Sequence, residues 1–253
     1  MAGVTLDIQG AVLLVLFRSG SMPRFEDLRT ADTSSMHDLS APRITRLHDR
    51  DAEERFTLST NGVTFRLRSH ETDDGLLDIF SRSAREQLSD ELGVRFSAWS
   101  LRAESNIARG ALAAPVLQAQ LRAGSLLALA EHDCLGLCWV PSRIVAPPSR
   151  VLDLVDAWQT GNRFPIDLFV AFVRDLDGGQ RSRGLALFTG QELRLEPSFS
   201  PDDGLALQTG RTIAEALIEL GTVEDAIHLR LPDKSNYRLE PSPNGRFVRA
   251  IPH

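Results

Sequence analysis

The chain has 253 residues, 42% of them hydrophobic and 25% charged, with a formal net charge of -6. That composition belongs to a globular protein, not a disordered or fibrous one, and the length supplies one large domain or two ordinary ones. The acidic balance argues against a nucleic-acid partner, because phosphate binding needs clustered Lys and Arg.

Taken in order, the first signal is the apolar run from Ala11 to Phe17. No basic residue precedes it, Asp7 does, and it is too short to span a bilayer, so a buried strand over about 10–18 in a cytoplasmic protein is expected, with no membrane partner. Residues 23–28 suit a short helix. Residues 29–54 are polar and aperiodic, which predicts a long surface loop. Phe56 and Leu58, then Val63, Phe65 and Leu67, alternate with polar residues around Asn61-Gly62, a strong hairpin signal. Asp73 or Asp74 can cap a helix over 75–92, whose apolar positions Leu77, Phe80, Ala84, Leu88 and Leu92 recur every three to four residues before Gly93 stops it. A strand over 94–101 follows. The order strand, helix, strand, strand, helix, strand is the ferredoxin-like arrangement.

The second half is expected to repeat this scheme. A helical region spans 105–131, interrupted at Pro115, then a strand 134–140 and a helix 150–160. Residues 164–174 form an apolar run broken by Asp167, which predicts a central strand buried on both faces. Asp175 to Gln180 makes a turn. Leu185, Leu187, Leu193 and Leu195 predict a hairpin around Thr189-Gly190-Gln191, with Glu192, Arg194 and Glu196 on its other face. Asp202-Asp203 leads a helix ending at Gly221. A strand over 226–231 and a terminal hairpin around Pro243-Asn244-Gly245 close the chain. The fold class read from this pattern is α+β: two ferredoxin-like (βαββαβ-type) halves, 1–104 and 105–253, with mainly antiparallel sheets packed against helices.

The search for chemistry returns little. Cys134 and Cys138 would share a strand face, but at about 3.3 Å per residue they stand roughly 13 Å apart, too far for a disulfide or, with His132, a shared metal. They read as small buried residues in a reducing compartment. Asp175-Leu176-Asp177-Gly178 resembles the start of a calcium loop, yet the sixth position is Gln180 and the twelfth Ala186, where Gly and an acid are required. Trp99, Trp139 and Trp158 read as core anchors. There is no nucleophile elbow, phosphate loop, dinucleotide fingerprint or zinc-protease motif. No catalytic, cofactor or metal residue is assigned. His132, Asp167, Arg183 and His228 are the polar residues to look for in a pocket.

Four short features lie between Leu135 and Phe247: Cys138-Trp139 ending a strand, Phe164-Pro165 leading into Leu168-Phe169-Val170, Gly184-Leu185, and Glu192-Leu193. In these the second half resembles the bacterial domain of unknown function 4261. Arg183 stands where that family commonly has Thr, and Thr222-Val223-Glu224-Asp225 replaces its Gly-rich turn. The resemblance implies an α+β domain and brings no activity or site residues. The functional expectation is a non-enzymatic protein-binding factor, immunity-type or accessory. The alternatives are an enzyme or small-molecule binder with a cleft between the halves, and a structural subunit of a larger assembly.

Overall fold

A computed structural model describes residues 12–23, 43–47, 55–60, 62–70, 80, 82–104, 114–129, 133–161, 164–197, 199 and 202–252. The short helix expected at 23–28, the caps at Asp73 and Asp74, and residues 105–113 lie outside them, Pro23 excepted. The fold is α+β, with two mainly antiparallel sheets and, among the described residues, six helices. It divides into two compact units, one holding residues up to 104 together with 115–161, the other holding 164–252.

The first unit is organised on β1 (Val12–Arg18), whose residues from Val12 to Phe17 are all buried. A run of Val, Leu and Phe without polar alternation suits a strand covered on both faces. The other strands are β2 (Arg43–Leu47), β3 (Arg55–Thr60), β4 (Val63–His70), β5 (Phe96–Ala103), β6 (Cys134–Trp139) and β7 (Ile144–Ala146), in the spatial order β2-β3-β4-β5-β1-β6-β7. Every neighbouring pair is antiparallel. Helix α1 (Arg82–Leu92) covers one face: its Ala84 and Leu88 join Leu14, Leu16, Ala98 and Cys138 in a single core. Helix α2 (Ala114–Leu129), with Pro115 in its first turn, lies over the other face. There the Gln120 amide donates to the Leu101 carbonyl at 2.7 Å, and a β-carbon at Gly124 would overlap the Leu13 side chain. Helix α3 (Pro148–Gln159) is tied to α2 by Arg122 and Asp156 at 2.5 Å.

The second unit contains α4 (Ile166–Phe169), β8 (Ala171–Arg174), β9 (Gln180–Arg183), α5 (Ala186–Thr189), β10 (Glu192–Leu195), α6 (Asp203–Leu220), β11 (Ile227–Arg230), β12 (Asn236–Pro241) and β13 (Phe247–Pro252). Its sheet runs β11-β12-β13-β10-β9-β8, with β10 and β13 parallel. Asp202 caps α6 as its sequence position requires, accepting from the backbone N–H groups of Gly204 and Leu205. Gly210 of α6 lies so close to the sheet that a β-carbon there would sit 2.9 Å from both Leu195 Cδ1 and Phe172 Cε1.

The structure corrects several expectations. The two sheets do not confirm ferredoxin-like halves. Instead of an independent second half opening at 105, α2, β6, β7 and α3 complete the first unit, because β6 hydrogen-bonds to β1. The polar stretch 29–54 contributes strand β2, paired with β3. Phe164 to Arg174 is not one central strand. Pro165 precedes a single helical turn, and β8, the remainder, is the half-buried edge of its sheet. Leu185 and Leu187 do not lie on a strand either; β9 ends at Arg183 and the short helix α5 follows. Cys134 and Cys138 do not share a face. The register shifts at Leu16/Phe17, so Leu16 stands opposite Gly136 but Phe17 opposite Cys134, and Leu135 takes the place on the α1 side.

Gly62 turns the β3–β4 hairpin at a φ of +75° with open space around it, so the cost of a side chain there is purely conformational. Gly62→Val is expected to destabilise the first unit by about 1–2 kcal/mol, read as a lower thermal midpoint, and an unchanged midpoint refutes the turn. The thiols, both free, are expected to form no Cys134–Cys138 bridge when the folded protein is oxidised, which intact-mass measurement checks.

Candidate functional site

On the α1 side of the first sheet, strands β4 and β5 carry a group of residues that the linear sequence did not single out as a site. The register sets Arg66 opposite Arg102, Arg68 opposite Ser100 and His70 opposite Ala98. All six positions therefore share one face. His70 is 2% exposed, and its Nε2 lies 2.7 Å from the Ser100 hydroxyl, itself 8% exposed. The hydroxyl in turn donates to the Arg68 carbonyl at 3.4 Å. These bonds fit together when the imidazole Nε2–H donates to Oγ and the hydroxyl passes its own proton to the backbone. The bond between His70 and Ser100 ties β4 to β5. Further along the same face, Arg66 and Arg68 are exposed and Arg102 is half-buried. Among the described residues, Arg66 and Arg102 have no carboxylate partner.

The second unit carries a contrasting arrangement. Its register places Arg181, Arg194 and Arg249 side by side on three adjacent strands. Here carboxylates surround the cations. Arg194 holds Asp175 at 2.7 Å, Asp177, and Glu196 at 3.5 Å; Arg181 reaches Asp175 at 3.5 Å; Arg249 reaches Glu240 at 3.1 Å. The sequence that resembled a calcium loop is thus a hairpin loop whose two aspartates are held by arginines. Among the described residues no group of three or more His, Cys, Asp or Glu is placed to hold a metal. The backbone N–H of Gly179, then the Arg194 guanidinium, hold the Asp177 carboxyl below its usual range. Such a group stabilises the fold above its unfolded value, about 3.9, and the contribution disappears as pH falls through the folded value.

Glu192, at the start of β10, gathers four donors: the Ser182 hydroxyl at 2.5 Å and the backbone N–H groups of Gly184, Leu185 and Ala186 at 2.9 to 3.2 Å. Ser182 also accepts from Leu193 N–H at 2.7 Å. The carboxylate folds the β9–α5 corner and has no coordination left over for a substrate.

The four residues marked in the sequence do not gather at one point. His132 lies outside the described residues. Asp167 is an exposed residue of α4, paired with Arg211 Nε at 3.0 Å. Arg183 ends β9, half-buried and opposite Ala171, while His228 is exposed on β11 opposite Arg238. β9 and β11 are four strand spacings apart, roughly 19 Å, so Arg183 and His228 cannot act on one ligand atom. The residues that sequence reasoning missed are His70, Ser100 and Arg102. Strand alternation showed Arg66 and Arg68 on one side of the hairpin, but only the β4–β5 register shows what stands opposite them. Comparison with family models, with curated proteins and with solved structures finds no match for this chain.

Ser100→Ala is expected to remove the hydroxyl from His70 Nε2 and to lower unfolding stability by about 1–3 kcal/mol in denaturant titration. Glu192→Ala is expected to cost at least about 2 kcal/mol, since it strands N–H donors at a half-buried corner; a midpoint equal to the parent's shows that the corner holds without it.

Proposed function

We propose that this protein is a non-enzymatic binding factor for another protein, of the immunity or accessory type expected from its sequence. The observation that carries the reading is the pair of open sheets. The second ends on β11, a terminal strand with half-buried Ile227 and Leu229 and exposed His228 and Arg230. A terminal strand with one apolar and one polar face suits pairing with an extended segment of a partner, where main-chain bonds give affinity and alternate side chains give selectivity. The site chemistry supports the same reading. His70 and Ser100, hydrogen-bonded to each other, are both buried within the first sheet. Assignment to the domain of unknown function 4261 and a cytoplasmic location are part of this proposal. It is compatible with the absence, among the described residues, of any helix long and apolar enough to cross a membrane.

The test is affinity purification of the tagged full chain from its native lysate, together with its solution mass. One stoichiometric protein partner is the expected result. Failure to capture a protein, combined with a thermal shift on adding a small molecule, overturns the reading in favour of a ligand-binding protein.

A further inference from the structure

The chain contains two Asn-Gly pairs, Asn61-Gly62 and Asn244-Gly245. The second stands in the turn between β12 and β13, where Pro243 to Arg246 are four exposed residues in succession. Its geometry bears on a reaction open to such pairs, attack of the glycine nitrogen on the asparagine carboxamide. Asn244 Oδ1 accepts from the Ser242 hydroxyl at 2.8 Å and from the Arg246 N–H at 3.1 Å. A backbone N–H only donates, so the atom facing it is the carbonyl oxygen, and the amide Nδ2 is the other arm. The Ser242 hydroxyl is itself positioned by Phe247 N–H, which donates to it at 3.0 Å. Gly245 has a φ of +66° with open space where a β-carbon would stand, and its N–H donates to the Ser242 carbonyl at 2.8 Å.

We propose that Asn244 is a site of spontaneous deamidation in the folded protein, through a succinimide closed by the Gly245 nitrogen. That nitrogen gives up its proton to solvent base and bonds to Asn244 Cγ. The Cγ–Nδ2 bond breaks and ammonia leaves. Water then opens the ring at either carbonyl, leaving aspartate or isoaspartate, with no oxidant or reductant involved. Negative charge develops on Oδ1 as the nitrogen adds, and on that atom the Ser242 hydroxyl and the Arg246 N–H already converge. Donors at about 2.7–3.1 Å from a developing oxyanion are the arrangement that stabilises addition to a carbonyl. Glycine adds no side chain to obstruct the approach. The bond from Gly245 N–H to Ser242 must open first. That event is confined to the exposed tip of a hairpin, where bonds open without global unfolding. The product adds a carboxylate beside Arg246. Isoaspartate also lengthens the main chain by one carbon in the turn that leads into β13, the strand lying between β12 and β10. None of this depends on the protein-binding reading.

The experiment incubates the full folded chain at mildly alkaline pH, well below its thermal midpoint, and follows aspartate and isoaspartate at position 244 by tryptic mapping and mass spectrometry. The two Asn-Gly pairs fall in different tryptic fragments, 56–66 and 239–246, so each is read separately. A synthetic peptide with the sequence of residues 239–248 gives the rate without the fold. The folded chain is expected to convert at no less than about a third of the peptide's rate, since only the hairpin tip has to open. Ser242→Ala is expected to convert at least about threefold more slowly than the wild type, because one donor to Oδ1 is gone. Ser242→Thr keeps the hydroxyl and is expected to convert as the wild type does, which separates loss of the donor from loosening of the turn. Asn244→Gln is expected to yield no product at 244, since its longer side chain closes such a ring poorly. Conversion of the folded wild type at less than a third of the peptide's rate overturns the proposal, because the turn then protects Asn244. Conversion of Ser242→Ala as fast as the wild type, or faster, overturns it as well, because the hydroxyl then gives the reaction no help.

Discussion

Strand β1 is the constraint on which the first unit depends. Its six buried residues are apolar on both sides, so the strand is stable only if both faces of the sheet are covered. Burying six such side chains contributes on the order of 10 kcal/mol. That requirement recruits β5 on one side of β1 and β6 on the other, α1 above and α2 below. Phe17 and Trp99 meet edge-to-face at 4.8 Å within the lower layer. The bulge in β6 follows from the same demand, since it turns Leu135 toward the α1 core.

The second unit has one long helix, α6, beside the single turns α4 and α5. Helix α6 lies over Leu195 and Phe172, and its own exit is fixed by a buried amide. Gln191 donates to the Val223 carbonyl at 3.1 Å and accepts from Val223 N–H at 2.8 Å. Phe164, Phe169 and Phe188 form a mutual aromatic cluster with centroids 5.1 to 5.5 Å apart. Tilted and edge-to-face packing of this kind explains why the segment after Pro165 coils before it extends: a helical turn brings Phe169 back beside Phe164.

Electrostatics separates the arginines of the two units. Where arginines stand in a row and carboxylates answer them, the ions complete the fold. Arg66 and Arg102, by contrast, stand directly opposite each other on β4 and β5, with no carboxylate in ion-pair contact among the described residues. Natural sequences tolerate such local conflict mainly where function requires it. The buried His70–Ser100 link ties β4 to β5 on the same face as these arginines.

The sequence by itself determined the α+β class, the buried first strand, the Asn61-Gly62 hairpin, and the long helix capped by Asp202, because each rests on local periodicity or turn chemistry within a few residues. It misjudged the stretch from Phe164 to Leu195, where an apolar run serves equally a strand or a helical turn; the aromatic contacts of Phe169 and the four donors of Glu192 decided that, and both are tertiary. It set Cys134 and Cys138 on one face because strict alternation knows nothing of a bulge. Strand order was beyond it too. Which strands lie beside β1, and therefore whether 134–146 belongs to the first unit or the second, is decided by hydrogen bonds between segments over a hundred residues apart in the chain. The same holds for the candidate site. Arg66 and Arg68 were legible as the polar side of a hairpin, but their opposition to Arg102 exists only in the β4–β5 register, since cross-strand repulsion is a property of paired positions and not of either strand alone.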